Sequence, residues 1–263
     1  MKTVPPYPLE FGFLALVVLM SVAGFWSLYF GVDARPDGHH HLHVLVNFSW
    51  LALLACQLVL VARKDFRSHR SLGLAVLLMG PLLFASTALL SVHSAQKGLA
   101  SGRGDFMIVQ NVGVTLELGL LLVLAFALRK RRKLHGALLL GTAMLFLGIA
   151  LFFTLIAFVP AYRIEGPETF HRFAQAGITG QVACLAAGLI FVARDVRNGW
   201  PLLLAALFFP LNEMIRFLLA RQGWIDGLTE GVGSMSQPWT FVGGFAVMLT
   251  LLLATGITPG ARK

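Results

Sequence analysis

RKRRKLHGALLLGTAMLFLGIALFFTLIAFVP, residues 129–160, decides how the rest of the chain is read. Five consecutive basic residues, Arg129 to Lys133, are followed by no Asp, Glu, Lys or Arg until Arg163. About 20 apolar residues in helical form span the hydrocarbon core of a bilayer. A Lys/Arg cluster at one end of such a run is held on the cytoplasmic side. The stretch therefore predicts a membrane-spanning helix over 135–159, anchored at its cytoplasmic end by the basic turn and stopped by Pro160.

The pattern repeats outward in both directions. Eight apolar segments are expected as helices, at 10–31, 42–62, 70–94, 106–128, 135–159, 171–193, 200–221 and 238–257. They are divided by Pro36 with Gly38, by Gly98 with Gly102 and Gly104, by Pro160 with Pro167, and by Gly199 with Pro201. Pro81 and Pro210 fall inside helices, which lipid-embedded segments tolerate when neighbours satisfy the freed carbonyls. The first run is read as an uncleaved helix, because it exceeds a signal-peptide core and carries Glu10. The expected architecture is an all-α polytopic transmembrane bundle, with residues 1–263 forming one integral membrane domain.

Composition agrees. The chain is 57% hydrophobic and only 13% charged, with mean hydropathy +0.78, whereas soluble domains carry about 25% charged residues. The net charge of +9 does not indicate nucleic acid. The basic residues sit in alternate turns: Arg63, Lys64, Arg67 and Arg70; Arg129 to Lys133; Arg194 and Arg197. The intervening turns hold Asp33, Asp37, Asp105, Glu165, Glu168, Asp226 and Glu230. Both termini are thus expected in the cytoplasm of a cell whose inner membrane holds the protein, and the histidine-rich turn outside it. The partner this implies is the lipid bilayer, with room for other membrane proteins. Cys56 and Cys184 lie in apolar runs and report on packing, not on redox compartment.

Polar side chains inside hydrocarbon are expensive and mark function or interhelical contact. His43, Asn47, Trp50 and Gln57 share one face of the helix over 42–62. Ser91 and His93 close the helix over 70–94. Gln110 and Glu117, seven apart with Gly113 between them, share a face of the helix over 106–128. His171 and Gln175 open the helix over 171–193, and Asn212, Glu213 and Arg216 lie on that over 200–221. On the expected topology nearly all of these occupy the outer half of the membrane, which predicts a cavity open to the exterior. Asn47, Gln110, Gln175, Glu213 and Arg216 are its expected polar lining. Glu117, the most isolated charge, is the candidate catalytic or proton-carrying residue, or one half of a structural ion pair with Arg216; Glu213 can pair locally with Arg216.

Imidazole ligates zinc, copper and iron. Of the outward histidines, His43 is the leading candidate because it belongs to the inward stripe of its helix. His40, one turn earlier, stands at the rim, and His93 and His171 approach from other helices. His39 and His41 are expected to point elsewhere. These four, His40, His43, His93 and His171, form the expected metal set, holding haem b or a copper, iron or zinc ion in a membrane oxidoreductase or metalloenzyme. No HExxH, CxxC, nucleotide-binding or nucleophile-elbow pattern occurs. A solute transporter or receptor without metal, and a non-catalytic subunit or assembly factor, use the same features.

The run His41, His43, Trp50, Gln57, His69, Arg70 and Gly73 resembles bacterial multi-pass membrane proteins in which HxH opens one helix and HR-x-x-G the next. It is loosely similar also to diheme b-type membrane cytochromes. That resemblance implies pairing of His43 with His93 or His171 at one membrane face, and of His69 with His135 at the other. The helix over 106–128 departs from it by supplying no histidine.

Overall fold

A computed structural model describes residues 7–102 and 104–257. The basic residues at Lys2, Arg262 and Lys263, which contribute to the charge pattern, lie outside these. Ten α-helices occur and no strand is present among the described residues. They are α1 (Pro8–Gly24), α2 (Gly38–Ala62), α3 (Phe66–Gly73), α4 (Val76–Ala100), α5 (Ile108–Ala127), α6 (Arg132–Phe158), α7 (His171–Arg194), α8 (Trp200–Arg221), α9 (Ile225–Gly233) and α10 (Gln237–Ile257). Seven of these, all but α1, α3 and α9, are long and apolar enough to cross a membrane.

Helix α6, the stretch that opens the sequence reading, is also the hub of the fold. It packs against α1, α5, α7 and α8, and 67% of its apolar span is buried, against 11% for the peripheral α10. A second group forms around α4, which packs on α2, α5, α9 and α10, so α5 joins the two groups. The seam between α2 and α6 is fixed by one polar contact in the apolar core. The indole Nε1–H of Trp50 donates to Thr142 Oγ1 at 2.8 Å, and both side chains are fully buried. The Thr142 hydroxyl in turn donates to the Leu139 carbonyl at 2.6 Å, so neither group is left without a partner.

Three details differ from the sequence expectation. The first helix stops at Gly24 and continues as a π-helical turn over Trp26–Phe30. Residues expected at the start of the helix over 70–94 belong to α3, which Asp65 initiates by accepting from the Ser68 backbone N–H at 3.0 Å; tight turns at Leu74 and Ala75 then lead into α4. Lastly, α9 forms where three glycines suggested a loop. Ile225, Leu228 and Val232 recur at helical spacing and pack on Ala95, Ile108 and Val109, so apolar burial overrides the poor helix propensity of glycine.

Candidate metal centre

Helix α2 begins at Gly38, four residues before the position expected, and this changes which histidines converge. Asp37 is its N-cap residue, and the Asp37 backbone N–H donates to His40 Nδ1 at 3.1 Å. With helical geometry already in force at His39, that residue and His43 lie one turn apart on the face toward α4. The His39 ring meets His93 of α4 with centroids 3.8 Å apart. Asp37 Oδ2 lies 3.8 Å from His39 Nε2 and 3.7 Å from His93 Nε2. The three ligand-type atoms all fall within 4.8 Å of one another, and both Nε2 atoms are buried without a hydrogen-bond partner.

These distances are too long for hydrogen bonds. They sit close to the edge of a tetrahedral shell, where bonds of about 2.0–2.2 Å place ligands roughly 3.4 Å apart. The donor set, two neutral imidazoles and one carboxylate, suits a borderline divalent ion. Haem fits poorly, because rings in contact at 3.8 Å leave no width for a porphyrin between them. Lys97, one turn beyond His93 on α4, adds positive charge that the Asp37 carboxylate offsets.

The other outward histidines have separate roles. His40 Nδ1 is the acceptor for the Asp37 N–H, so in the neutral ring the proton lies on Nε2 and no lone pair faces outward there. His41 Nδ1 and the Tyr29 hydroxyl share a hydrogen bond of 2.9 Å, tying α2 to the π-helical turn. Ser86 Oγ donates to the Leu83 carbonyl at 3.0 Å, so its bond to His43 Nδ1 at 3.2 Å is one in which the imidazole N–H donates. That tautomer leaves the His43 Nε2 lone pair available, one turn below His39. His171 is exposed, its Nδ1 donating to the Glu168 carbonyl at 3.0 Å, on a helix that packs on α6 and α8. The structure does not bring it into the cluster.

Of the expected metal set, the structure brings only His93 into this cluster, beside His39, which the sequence reading set aside, and Asp37, which it overlooked. The signal was present in the acidic residue immediately before a glycine and three histidines, an N-cap pattern that starts the helix early enough to swing His39 inward.

The expected cavity lining is distributed over three places. Asn47 is buried on α2 with its Oδ1 unpartnered. Gln175 lines a separate pocket of about 400 Å³ with Tyr162, Ile178 and Thr179. Gln110, Glu213 and Arg216 meet between α5 and α8: the Gln110 amide donates to Glu213 Oε1, and Arg216 holds Glu213 Oε2 at 2.8 and 2.9 Å. Glu117, 7% exposed, lies in the same seam and faces Asn212 of α8, not Arg216. Stripes on different helices face different neighbours, which is why residues at one membrane depth do not share one chamber.

At the opposite end, His69 of α3 and His135 of α6 are electrostatic neighbours. His135 Nδ1–H donates to the Ala125 carbonyl at 2.8 Å, capping the last turn of α5. His69 is held below the usual imidazole range by burial, and further by the nearby His135 and Arg70.

Fold and composition together define a polytopic helical membrane protein. No protein-family model, curated protein or solved structure matches the chain.

Proposed function

We propose that this is an integral membrane protein of the inner membrane whose outer end binds a divalent transition-metal ion through Asp37, His39 and His93. The observation that carries the reading is the convergence of one carboxylate and two unpartnered imidazole nitrogens within 4.8 Å. Two elements that meet in the fold, the α2 cap and the last turns of α4, supply the ligands. His43 lies one turn deeper with a free Nε2 lone pair and serves as a further ligand on entry or exit. Zinc or copper suits this donor set, and both termini are cytoplasmic by the alternating basic turns, with α1 and its π-helical continuation to Phe30 as an eighth span.

Metal analysis of the purified protein tests the reading. Wild type is expected to retain close to one equivalent of zinc or copper after dialysis, and Asp37→Ala together with His93→Ala to retain none. Equal, substoichiometric metal in both overturns it. Orientation is tested separately by reporter fusions at Lys97 and Arg131, which flank the single span α5 and are expected on opposite sides, with Arg131 inside.

A further inference from the structure

The seam between α5 and α8 contains polar groups that the metal centre does not use. Gln110, Gly113 and Glu117 form one stripe on α5, at i, i+3 and i+7. A Cβ at Gly113 would stand 2.5 Å from Asn212 Oδ1, so the missing side chain admits the Asn212 amide flush against the α5 backbone. Glu117 is 7% and Asn212 2% exposed. The Asn212 side chain is within hydrogen-bonding reach of the Glu117 carboxyl, yet Glu117 Oε2, Asn212 Nδ2 and Gln110 Oε1 have no partner in good geometry. The guanidinium of Arg216, on the same helix as Asn212, is engaged by Glu213, and among the described residues no ion pair reaches Glu117.

Three buried polar atoms left open in a row are too costly to stand in a dry interior. Water satisfies both donors and acceptors of this kind, at about three bonds per molecule. At its outer end the file meets the Glu213–Arg216 pair, whose side chains are 38% and 44% exposed on the last turns of α8. Ionisable residues within a bundle face a bundle interior or a water-filled path.

We propose that the α5–α8 seam is a hydrated, dead-end entry for water and small cations, reaching from Glu213 and Arg216 past Asn212 to Glu117. Gly113 lets the Asn212 amide lie along this path against α5, and the carboxyl of Glu117, with no ion pair among the described residues, gives it cation preference.

Substituted-cysteine accessibility tests the proposal in membrane vesicles of the full chain, after Cys56→Ser and Cys184→Ala. Asn212→Cys is expected to react with a small cationic methanethiosulfonate reagent at least about 10-fold faster than with its anionic counterpart, because a cleft of one sign concentrates counter-ions by that order. Adding Glu117→Gln is expected to abolish the preference. Leu118→Cys, on the apolar face of the same helix, is the unreactive reference. Gln110→Cys repeats the measurement one level outward, should Asn212→Cys fail to fold. Reaction at both seam positions no faster than at Leu118→Cys overturns the hydrated entry. Equal rates for the two reagents with Glu117 present overturn its cation preference.

Discussion

The rings of His39 of α2 and His93 of α4 meet with centroids 3.8 Å apart and planes tilted by 49°, and the carboxylate of Asp37 faces the Nε2 atom of each. Neither Nε2 atom has a hydrogen-bond partner. The N-cap of α2 is thereby brought beside two imidazoles, one from its own helix and one from α4.

Gly113 is required by the close approach of Asn212, not by backbone conformation. Gly113→Ala is therefore expected to destabilise the protein by about 1–3 kcal/mol, the usual range for overpacking. Gly177→Ala in α7, where a Cβ meets nothing within 4 Å, is expected to be neutral or stabilising. Thermal unfolding in detergent distinguishes them, and equal midpoints would remove the steric role given to Gly113.

The Trp50–Thr142 bond is the polar pin of the α2–α6 seam. Thr142→Val keeps the shape but strands the indole N–H in a site with no exposure, at a cost of about 1–2 kcal/mol. Trp50→Phe in addition to Thr142→Val is expected to cost less than the sum of the two single changes, because the stranded donor is gone. Strict additivity in a double-mutant cycle would show that the bond contributes nothing.

His69 couples stability to pH. Its folded-state value lies below that of the free imidazole, so the unfolded chain binds the proton more readily. Its contribution to stability is fully present above about pH 6.5, the ordinary imidazole value, and is lost as pH falls below it. The unfolding midpoint is expected to drop between pH 7 and pH 5 in wild type, and to drop less in His69→Gln. Identical pH profiles would assign the loss to other groups.

The bundle was legible because its signal is long and redundant. Each span carries a full bilayer length of apolar residues, and the basic turns punctuate them at Arg63, Arg129 and Arg194. The pairing of Glu213 with Arg216 was legible too, since it is local to one helix turn. What the sequence concealed depended on helix starts and on partners. A four-residue error at the beginning of α2 left His39 in a loop, whereas it lies in the first turn of α2 against His93. The choice of Asn212 over Arg216 as neighbour of Glu117 rests on how α8 is rotated against α5, which Gly113 permits but does not announce. Helix α9 was missed because glycines at 227, 231 and 233 mask an apolar spacing that matters only once Ile108 and Val109 are beside it.

The most direct measurement of the central claim is bound metal in His39→Ala beside His171→Ala. Both histidines lie in turns of the same predicted membrane side, and composition alone does not separate them. The account predicts that His39→Ala loses the metal and that His171→Ala, whose ring bonds the Glu168 carbonyl on a helix packed against α6 and α8, keeps the wild-type content. Retention in His39→Ala with loss in His171→Ala, or equal content in both, would contradict it.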